Sequence, residues 1–202
     1  MATCGKIMLD EMLSTFNVIG SEDRCRRLRA GELILVERNQ QVPQPILEFV
    51  GNIPIAKRKF VAKECFTKGN TKVKFGYIDE RFPKLFGSIQ EDTSAGTLAV
   101  HRILRASHDP DIMVAMGPQA RRFTKLGQFY QALEVQGHGQ AGPLLVNGYA
   151  NIAYIFDENG APWAVDACWV ADYGGWLVGV LSVASRYEWY AGRRALSQVS
   201  GS

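Results

Sequence analysis

The sequence lacks any uninterrupted apolar run of the length that crosses a membrane, about 20 residues. It also lacks a basic stretch followed by an apolar core near its start, because Asp10 and Glu11 interrupt the first apolar stretch. Both absences predict a chain with neither a membrane span nor a signal peptide. We therefore expect a cytoplasmic protein without a membrane partner.

Cysteine is scarce, and its spacing forms no motif. The four cysteines, Cys4, Cys25, Cys65 and Cys168, include no C-x-x-C pair. This spacing argues against a zinc ribbon and against a disulfide framework. We expect free thiols, no bound metal and, in the absence of an intact cofactor motif, no cofactor.

The chain has little excess charge, with 23 basic and 20 acidic residues and a net charge of +3. Residues 1–90 contain 15 basic and 10 acidic residues, whereas residues 91–202 contain 8 and 10. The polar segment 91–96 resembles a linker. These patterns predict a basic α+β half over residues 1–92 and a second half over 93–202, with one continuous domain as the alternative.

The segment from Lys57 to Ile78 predicts a β-hairpin that turns at Gly69-Asn70. Strand side chains alternate between two faces, so one face of this hairpin is apolar and the other is basic. A basic face can bind a polyanion, although exposed lysines also discourage aggregation at a sheet edge without any ligand. The residues of the basic face are Lys57, Lys59, Lys63, Lys72 and Lys74.

The last third predicts a helix over residues 119–136 followed by a three-stranded β-meander. The meander turns at Asn159-Gly160, a strong hairpin signal, and at Gly174-Gly175, and its first turn places Phe156 opposite Trp163. The fold class is therefore α+β: antiparallel sheets with a basic N-terminal hairpin and a C-terminal helix plus three-stranded β-meander.

Tryptophan is concentrated in and after the predicted meander. Tryptophan is over-represented at binding hot spots, which favours a partner surface, although core packing is the alternative. Of these residues, Trp189 with its neighbour Tyr190 is expected to be the exposed pair. The predicted partner surface consists of Trp163, Trp169, Trp176 and Trp189.

Residues 147–155, Asn-Gly-Tyr-Ala-Asn-Ile-Ala-Tyr-Ile, with Asp157 and Gly160 downstream, resemble a hairpin segment shared by a group of small bacterial proteins. Residues 60–64 and the strand at residues 72–78 resemble the same group, so the resemblance extends over most of the chain after about residue 45. It implies a shared fold. It implies no activity and no catalytic residue.

Residues 137–142 match G-x-G-x-x-G, the dinucleotide-binding pattern. In that pattern a strand precedes the glycines and a helix follows, so that the pyrophosphate meets the N-terminus of the helix. Here a predicted helix precedes the glycines and a predicted strand follows. The order favours a flexible connector over a phosphate site.

Catalysis by a nucleophile needs a thiol or hydroxyl beside a base, and histidine is the usual base near neutral pH. Cys65 with His101, or Cys168 with His138, are the pairs that the fold could bring together. Asp166, in the middle of a predicted strand, is the candidate carboxylate. The catalytic candidates are Cys65, His101, His138, Asp166 and Cys168, each weighed against a structural role.

No motif keeps its required context, so the sequence favours a non-enzymatic binding or adaptor protein that acts through protein-protein contacts. Another protein is the expected partner. One alternative is a nucleic-acid-binding protein that uses the basic hairpin face. The other is a cysteine- or carboxylate-dependent enzyme.

Overall fold

The computed structural model describes Arg26, Arg27, Ala30, Gly31 and residues 44–199. The chain divides into two compact units, Met1–Gln44 and Pro45–Ser202. Two of the expected free cysteines, Cys4 and Cys25, lie outside the described residues. The boundary predicted between residues 92 and 93 falls inside the second unit, whose fold is described below.

Among the described residues, eleven strands, five short α-helices and one 3-10 turn, Ala171–Tyr173, build this unit. The strands are β1 (Leu47–Ile55), β2 (Arg58–Val61), β3 (Phe75–Ile78), β4 (Gln90–Thr93), β5 (Gly96–Ile103), β6 (Ser107–His108), β7 (Asn151–Phe156), β8 (Pro162–Val170), β9 (Gly175–Ser182), β10 (Glu188–Trp189) and β11 (Arg194–Gln198). The helices are α1 (Ala62–Cys65), α2 (Phe82–Phe86), α3 (Asp109–Ala115), α4 (Gln119–Arg122) and α5 (Leu126–Glu134).

Seven strands form one sheet in the order β1-β5-β11-β7-β8-β9-β3. Its neighbours are antiparallel except for two parallel pairs, β11 with β7 and β3 with β9. Two small antiparallel pairs, β2 with β4 and β6 with β10, accompany it. The presence of both helices and strands and the mainly antiparallel strand pairing confirm the α+β class. No helix among the described residues is long and apolar enough to cross a membrane.

The meander of β7, β8 and β9 is confirmed, but both of its turns differ from the prediction. The second turn is not at Gly174-Gly175: it consists of Ala171–Tyr173 and Gly174, because Gly175 already pairs with Val170. The first register differs from the prediction by one residue. Ile155, not Phe156, lies opposite Trp163. The turn is longer than Asn159-Gly160 alone, because the Asp157 carboxylate accepts hydrogen bonds from the backbone N–H groups of Asn159 and Ala161. A shift of one residue exchanges the two faces of a strand, so Phe156 lies on the face opposite Trp163.

The hairpin predicted from Lys57 to Ile78 is wrong. Strand β2 pairs with β4, and β3 pairs in parallel with β9, at the edge of the large sheet. Between them the chain forms α1 and a loop, and the Phe66 ring packs 5.4 Å from Phe75 and 4.6 Å from Phe82. Burial of Phe66 among distant aromatic rings therefore outweighs the local alternation. The segment predicted as a linker, residues 91–96, contains most of β4.

The helix predicted over residues 119–136 is interrupted. Helices α4 and α5 are separated by residues 123–125, where the Thr124 N–H donates to the Tyr154 carbonyl and Phe123 stacks on Phe156 at 4.1 Å. Every residue of α5 except the last is buried. The interruption lets the chain bond to the sheet before α5 covers one of its faces.

Each face of the large sheet has its own apolar core. Val165 and Trp176 belong to the core that α5 covers, together with Phe129. Ile152 and Tyr154 point to the other core, beside Ile112 of α3. Because strand side chains alternate, the sheet has two apolar faces that both need cover.

Candidate functional site

Residues 57–74, which we call the basic segment, contain seven basic residues and one acidic residue, Glu64. Strand β2 points Phe60 into the core and Lys59 outward, and α1 buries Ala62 while exposing Lys63. All six lysines of the segment are exposed, and they include every lysine of the predicted basic face. They are Lys57, Lys59, Lys63, Lys68, Lys72 and Lys74.

A pocket of about 400 Å³ opens where the basic segment meets α5. We call it the basic pocket. Small-molecule sites commonly measure about 300 to 1,000 Å³, so this volume suits a small ligand or one group of a larger one. Three basic side chains line it, together with the Tyr130 ring and the Glu134 carboxylate. The basic side chains are Arg58, Lys59 and Lys72.

Glu134 joins two of these cations. Its Oε2 accepts from the Arg58 guanidinium, and its Oε1 lies 3.5 Å from Lys72 Nζ. The Arg58 guanidinium also lies over the Tyr130 ring, 5.6 Å from its centroid. Arg58 is therefore fixed by two neighbours. Lys72, whose side chain is 70% exposed, makes one long ion pair among the described residues.

Asn70 holds the loop that presents Lys72. Its Nδ2 donates to the Cys65 carbonyl at 2.7 Å and to the Tyr130 hydroxyl at 2.8 Å. Its Oδ1 accepts from the N–H groups of Lys72 and Val73 at 2.8 and 3.0 Å. All four hydrogen-bonding positions of the amide are used. The sequence prediction treated Asn70 as a hairpin turn and missed this role, because Tyr130 is 60 residues away.

Cys65 lines the basic pocket and is half-buried. Burial raises the pKa of its thiol, an effect that exceeds the opposing influence of Arg58. The thiolate is the reactive form of cysteine, so this thiol is mostly protonated and a poor nucleophile near pH 7.

His101 lies elsewhere, on β5, and lines a second pocket of about 350 Å³. Its Nε2 is 2.9 Å from Ser197 Oγ, a contact that sequence patterns did not suggest. Burial lowers the pKa of His101. Cys65 packs against the core on the α5 side, whereas Ala195, opposite His101, belongs to the other core. The structure does not bring Cys65 and His101 together.

The second predicted pair is also separated. His138 Nε2 lies 3.1 Å from the Thr71 carbonyl, at the surface. Cys168 packs against the core that contains Tyr154, and its thiol donates to Asp166 Oδ2 at 3.6 Å. Burial raises the pKa of Asp166 to about 6 and that of Cys168 to about 12. Among the predicted catalytic candidates, the structure brings Asp166 and Cys168 into contact.

Replacement of Asp166 by asparagine is expected to stabilise the protein at neutral pH. The pKa of Asp166 in the fold, about 6, exceeds its ordinary value of 3.8, so its contribution is fully present below 3.8 and is lost as the pH rises through about 6. Allowing for partial solvent access, the gain above pH 7 is about 1 to 2 kcal/mol. Urea unfolding at pH 4 and pH 7.5 measures it.

The control for this experiment is Asp172→Asn, at an exposed carboxylate just beyond β8. We expect the unfolding free energy of the control to stay within about 0.5 kcal/mol of the wild type at both pH values. Equal unfolding free energies of wild type and Asp166→Asn at both pH values would show that the fold does not raise the pKa of Asp166.

The four tryptophans do not form an exposed partner surface. Trp176 and Trp189 are buried, with 0% and 2% exposure, and Trp163 and Trp169 are half-buried against the core. The expected exposed pair is half correct, because Tyr190 is 59% exposed. Large aromatic rings on an apolar sheet face gain more by core packing than by exposure.

Tyrosine, not tryptophan, supplies the exposed aromatic residues near the C-terminus. The Arg193 guanidinium lies 5.5 Å from the Tyr149 ring centroid and 5.1 Å from that of Tyr190. Tyr149 is 48% exposed. These three residues form a surface that we call the tyrosine-arginine cluster.

The G-x-G-x-x-G glycines serve close packing. A Cβ on Gly137 would lie 1.8 Å from the Lys72 carbonyl oxygen, and one on Gly139 would lie 2.1 Å from the Trp169 ring. Gly139 also has a positive φ of 73°. The glycines thus let the chain after α5 lie against the basic segment and the sheet. Gly137 and Gly139 lie in close contact with their neighbours, whereas His138, Gln140, Ala141 and Gly142 are exposed.

Within the described part of the chain, no group of three or more His, Cys, Asp or Glu residues is placed to hold a metal ion. Searches against protein-family models, curated proteins and solved structures find no match to this chain. The resemblance of residues 147–155 to small bacterial proteins therefore stays a prediction. The chemistry of the site is what indicates a function.

Proposed function

We propose that this protein binds a polyanion, in particular nucleic acid, through the basic segment. The observation that carries the proposal is the exposure of all six lysines within 18 consecutive residues, against one carboxylate in the same stretch. Each ammonium group can neutralise a phosphate and release its counterion, which is the main source of affinity for nucleic acid.

The surrounding aromatic residues favour contacts with the phosphate backbone. Phe60 and Tyr130, which line the basic pocket, are 2% and 3% exposed, and Phe66 within the basic segment is 8% exposed. Buried rings offer no platform on which bases can stack. We therefore propose binding that depends on charge and depends little on base sequence.

The test is binding of labelled single- and double-stranded DNA and RNA across a salt series, measured by fluorescence anisotropy. A triple variant, Lys59→Glu, Lys63→Glu and Lys72→Glu, is expected to lose most of its affinity. Each phosphate contact removed should flatten the plot of log affinity against log salt for duplex DNA by about 0.9.

The matched control carries the same change in charge outside the basic segment: Lys84→Glu, Arg105→Glu and Arg186→Glu, all at exposed positions. It should keep most of the affinity. If both variants lose affinity equally, the net charge and not the basic segment is responsible. Absence of salt-dependent binding by the wild type would end the proposal.

The second candidate function is protein-protein contact, favoured by the tyrosine-arginine cluster. Tyrosine and arginine are enriched at binding hot spots, and Arg193 is already oriented by Tyr149 and Tyr190. An adaptor acting through this cluster should bind its purified partner at least about 30-fold more weakly after Arg193→Ala, the effect of a hot-spot loss of about 2 kcal/mol. Calorimetry or surface plasmon resonance measures this change.

The control is Tyr173→Ala, which removes a tyrosine that is 66% exposed and lies outside the cluster. A partner whose affinity is unchanged by Arg193→Ala, or is lowered equally by Tyr173→Ala, would show that the cluster is not the contact surface.

A further inference from the structure

We infer that the basic pocket binds a multiply charged phosphate group, either at the end of a nucleic-acid strand or on a small phosphorylated molecule. The inference rests on the proposed polyanion binding and narrows it to one ligand group. A surface of lysines attracts any polyanion, whereas a pocket with fixed donors selects the group that fits it.

The charge lining the pocket favours an anion. Arg58, Lys59 and Lys72 line it, against Glu64 and Glu134. Lys57, Lys63 and Lys68 add positive charge in the same segment. A ligand with two or more negative charges gains from this field, and a cationic or neutral ligand does not.

Some of the pocket is organised before any ligand arrives. Arg58 is fixed between Glu134 and the Tyr130 ring, and Asn70 fixes the backbone that leads to Lys72. Donors that are already in place lose little conformational entropy on binding. Guanidinium and ammonium groups also make stronger hydrogen bonds to phosphate oxygens than neutral donors do.

Neutral donors complete the lining. Thr67 and Thr71 line the same pocket of about 400 Å³. Hydroxyl groups can donate to phosphate oxygens that the cations leave unbonded. A phosphate has several acceptor oxygens, and this mixture of charged and neutral donors matches that requirement.

The Glu134 carboxylate competes with the ligand for the Lys72 ammonium group. Its contact with Lys72 is 3.5 Å long, and the Lys72 side chain is 70% exposed, so the ammonium group can turn to a phosphate. The Glu134 carboxylate would then repel that phosphate. Removal of its charge should strengthen binding, an effect opposite to that of removing a lysine.

The experiment is isothermal titration calorimetry with pyrophosphate as the probe. Lys59→Gln and Lys72→Gln should each weaken binding about tenfold, because each removes a charged hydrogen bond. Lys84→Gln removes equal charge at an exposed position outside the basic segment, and should change the affinity less than about twofold. Glu134→Gln should tighten binding about threefold or more.

A second arm identifies the source of the phosphate. Oligonucleotides of one sequence, with a 5′-phosphate or a 5′-hydroxyl, are compared for affinity. Preference for the 5′-phosphate, lost in Lys72→Gln, assigns the pocket to a strand end. Pyrophosphate binding without that preference assigns it to a small phosphorylated molecule.

The results that overturn the inference are distinct from those that overturn the proposed function. No pyrophosphate binding to the wild type at millimolar concentration, or equal losses in the pocket and control lysine variants, removes the pocket as a site. Salt-dependent binding of unphosphorylated oligonucleotides would then still support the polyanion function. Pyrophosphate binding with no oligonucleotide binding would support the pocket as a phosphate site and contradict the proposed binding of nucleic acid. Thermal unfolding of each variant confirms that it is folded.

Discussion

Gly137→Ala is expected to destabilise the fold severely. The new Cβ would lie 1.8 Å from the Lys72 carbonyl oxygen, far inside van der Waals contact, and both partners are backbone that cannot rotate away. The Gly137 carbonyl also accepts a hydrogen bond from the Lys74 N–H at 2.8 Å, and a shift of the loop would break it. The expected loss is more than about 4 kcal/mol, or failure to fold.

Soluble yield and urea unfolding followed by circular dichroism measure this effect. The control is Gly69→Ala in the basic segment, where an added Cβ meets nothing within 4 Å. Its unfolding free energy should stay within about 0.5 kcal/mol of the wild type. Wild-type stability of Gly137→Ala would show that the loop after α5 does not contact Lys72, and the geometry of the basic pocket would change with it.

Asp109→Ala is expected to cost about 3 to 6 kcal/mol, because it leaves two buried donors unsatisfied and opens a cavity. Asp109 is fully buried. Its Oδ1 accepts from the Tyr154 hydroxyl at 2.8 Å and from Trp189 Nε1 at 2.7 Å. This carboxylate links α3, the sheet and the segment near the C-terminus in the second core.

Asp109→Asn is the matched variant, because its amide oxygen can accept both bonds. It should retain most of the stability that Asp109→Ala loses. Burial raises the pKa of Asp109, so the wild type loses part of its stability as the pH rises through that pKa, and the asparagine variant does not. Urea unfolding across a pH series upward from the ordinary value of 3.8 measures both effects. Equal losses in the two variants would contradict the hydrogen-bonding role.

The candidate site could be predicted from the sequence only in part. The positions of the exposed lysines follow from their chemistry, since an unpaired ammonium group is costly to bury. Their arrangement around a pocket does not, because Arg58 and Glu134 are 76 residues apart and nothing local pairs them. The tryptophans were predicted wrongly for a different reason. Their frequency at interfaces suggested an exposed surface, whereas Trp176 and Trp189 are buried in the fold.

The sequence by itself determined the features that depend on neighbouring residues: the α+β character, the meander with its turn near Asn159-Gly160, and the outward lysines of the basic segment. Tertiary structure decided which strands pair, where the helix over residues 119–136 breaks, and which side chains form the basic pocket. The physical reason is the separation along the sequence over which each interaction acts. Turn preferences and alternation act over a few residues, whereas burial of Phe66 or the bonds of Asn70 depend on segments brought together only by the completed fold.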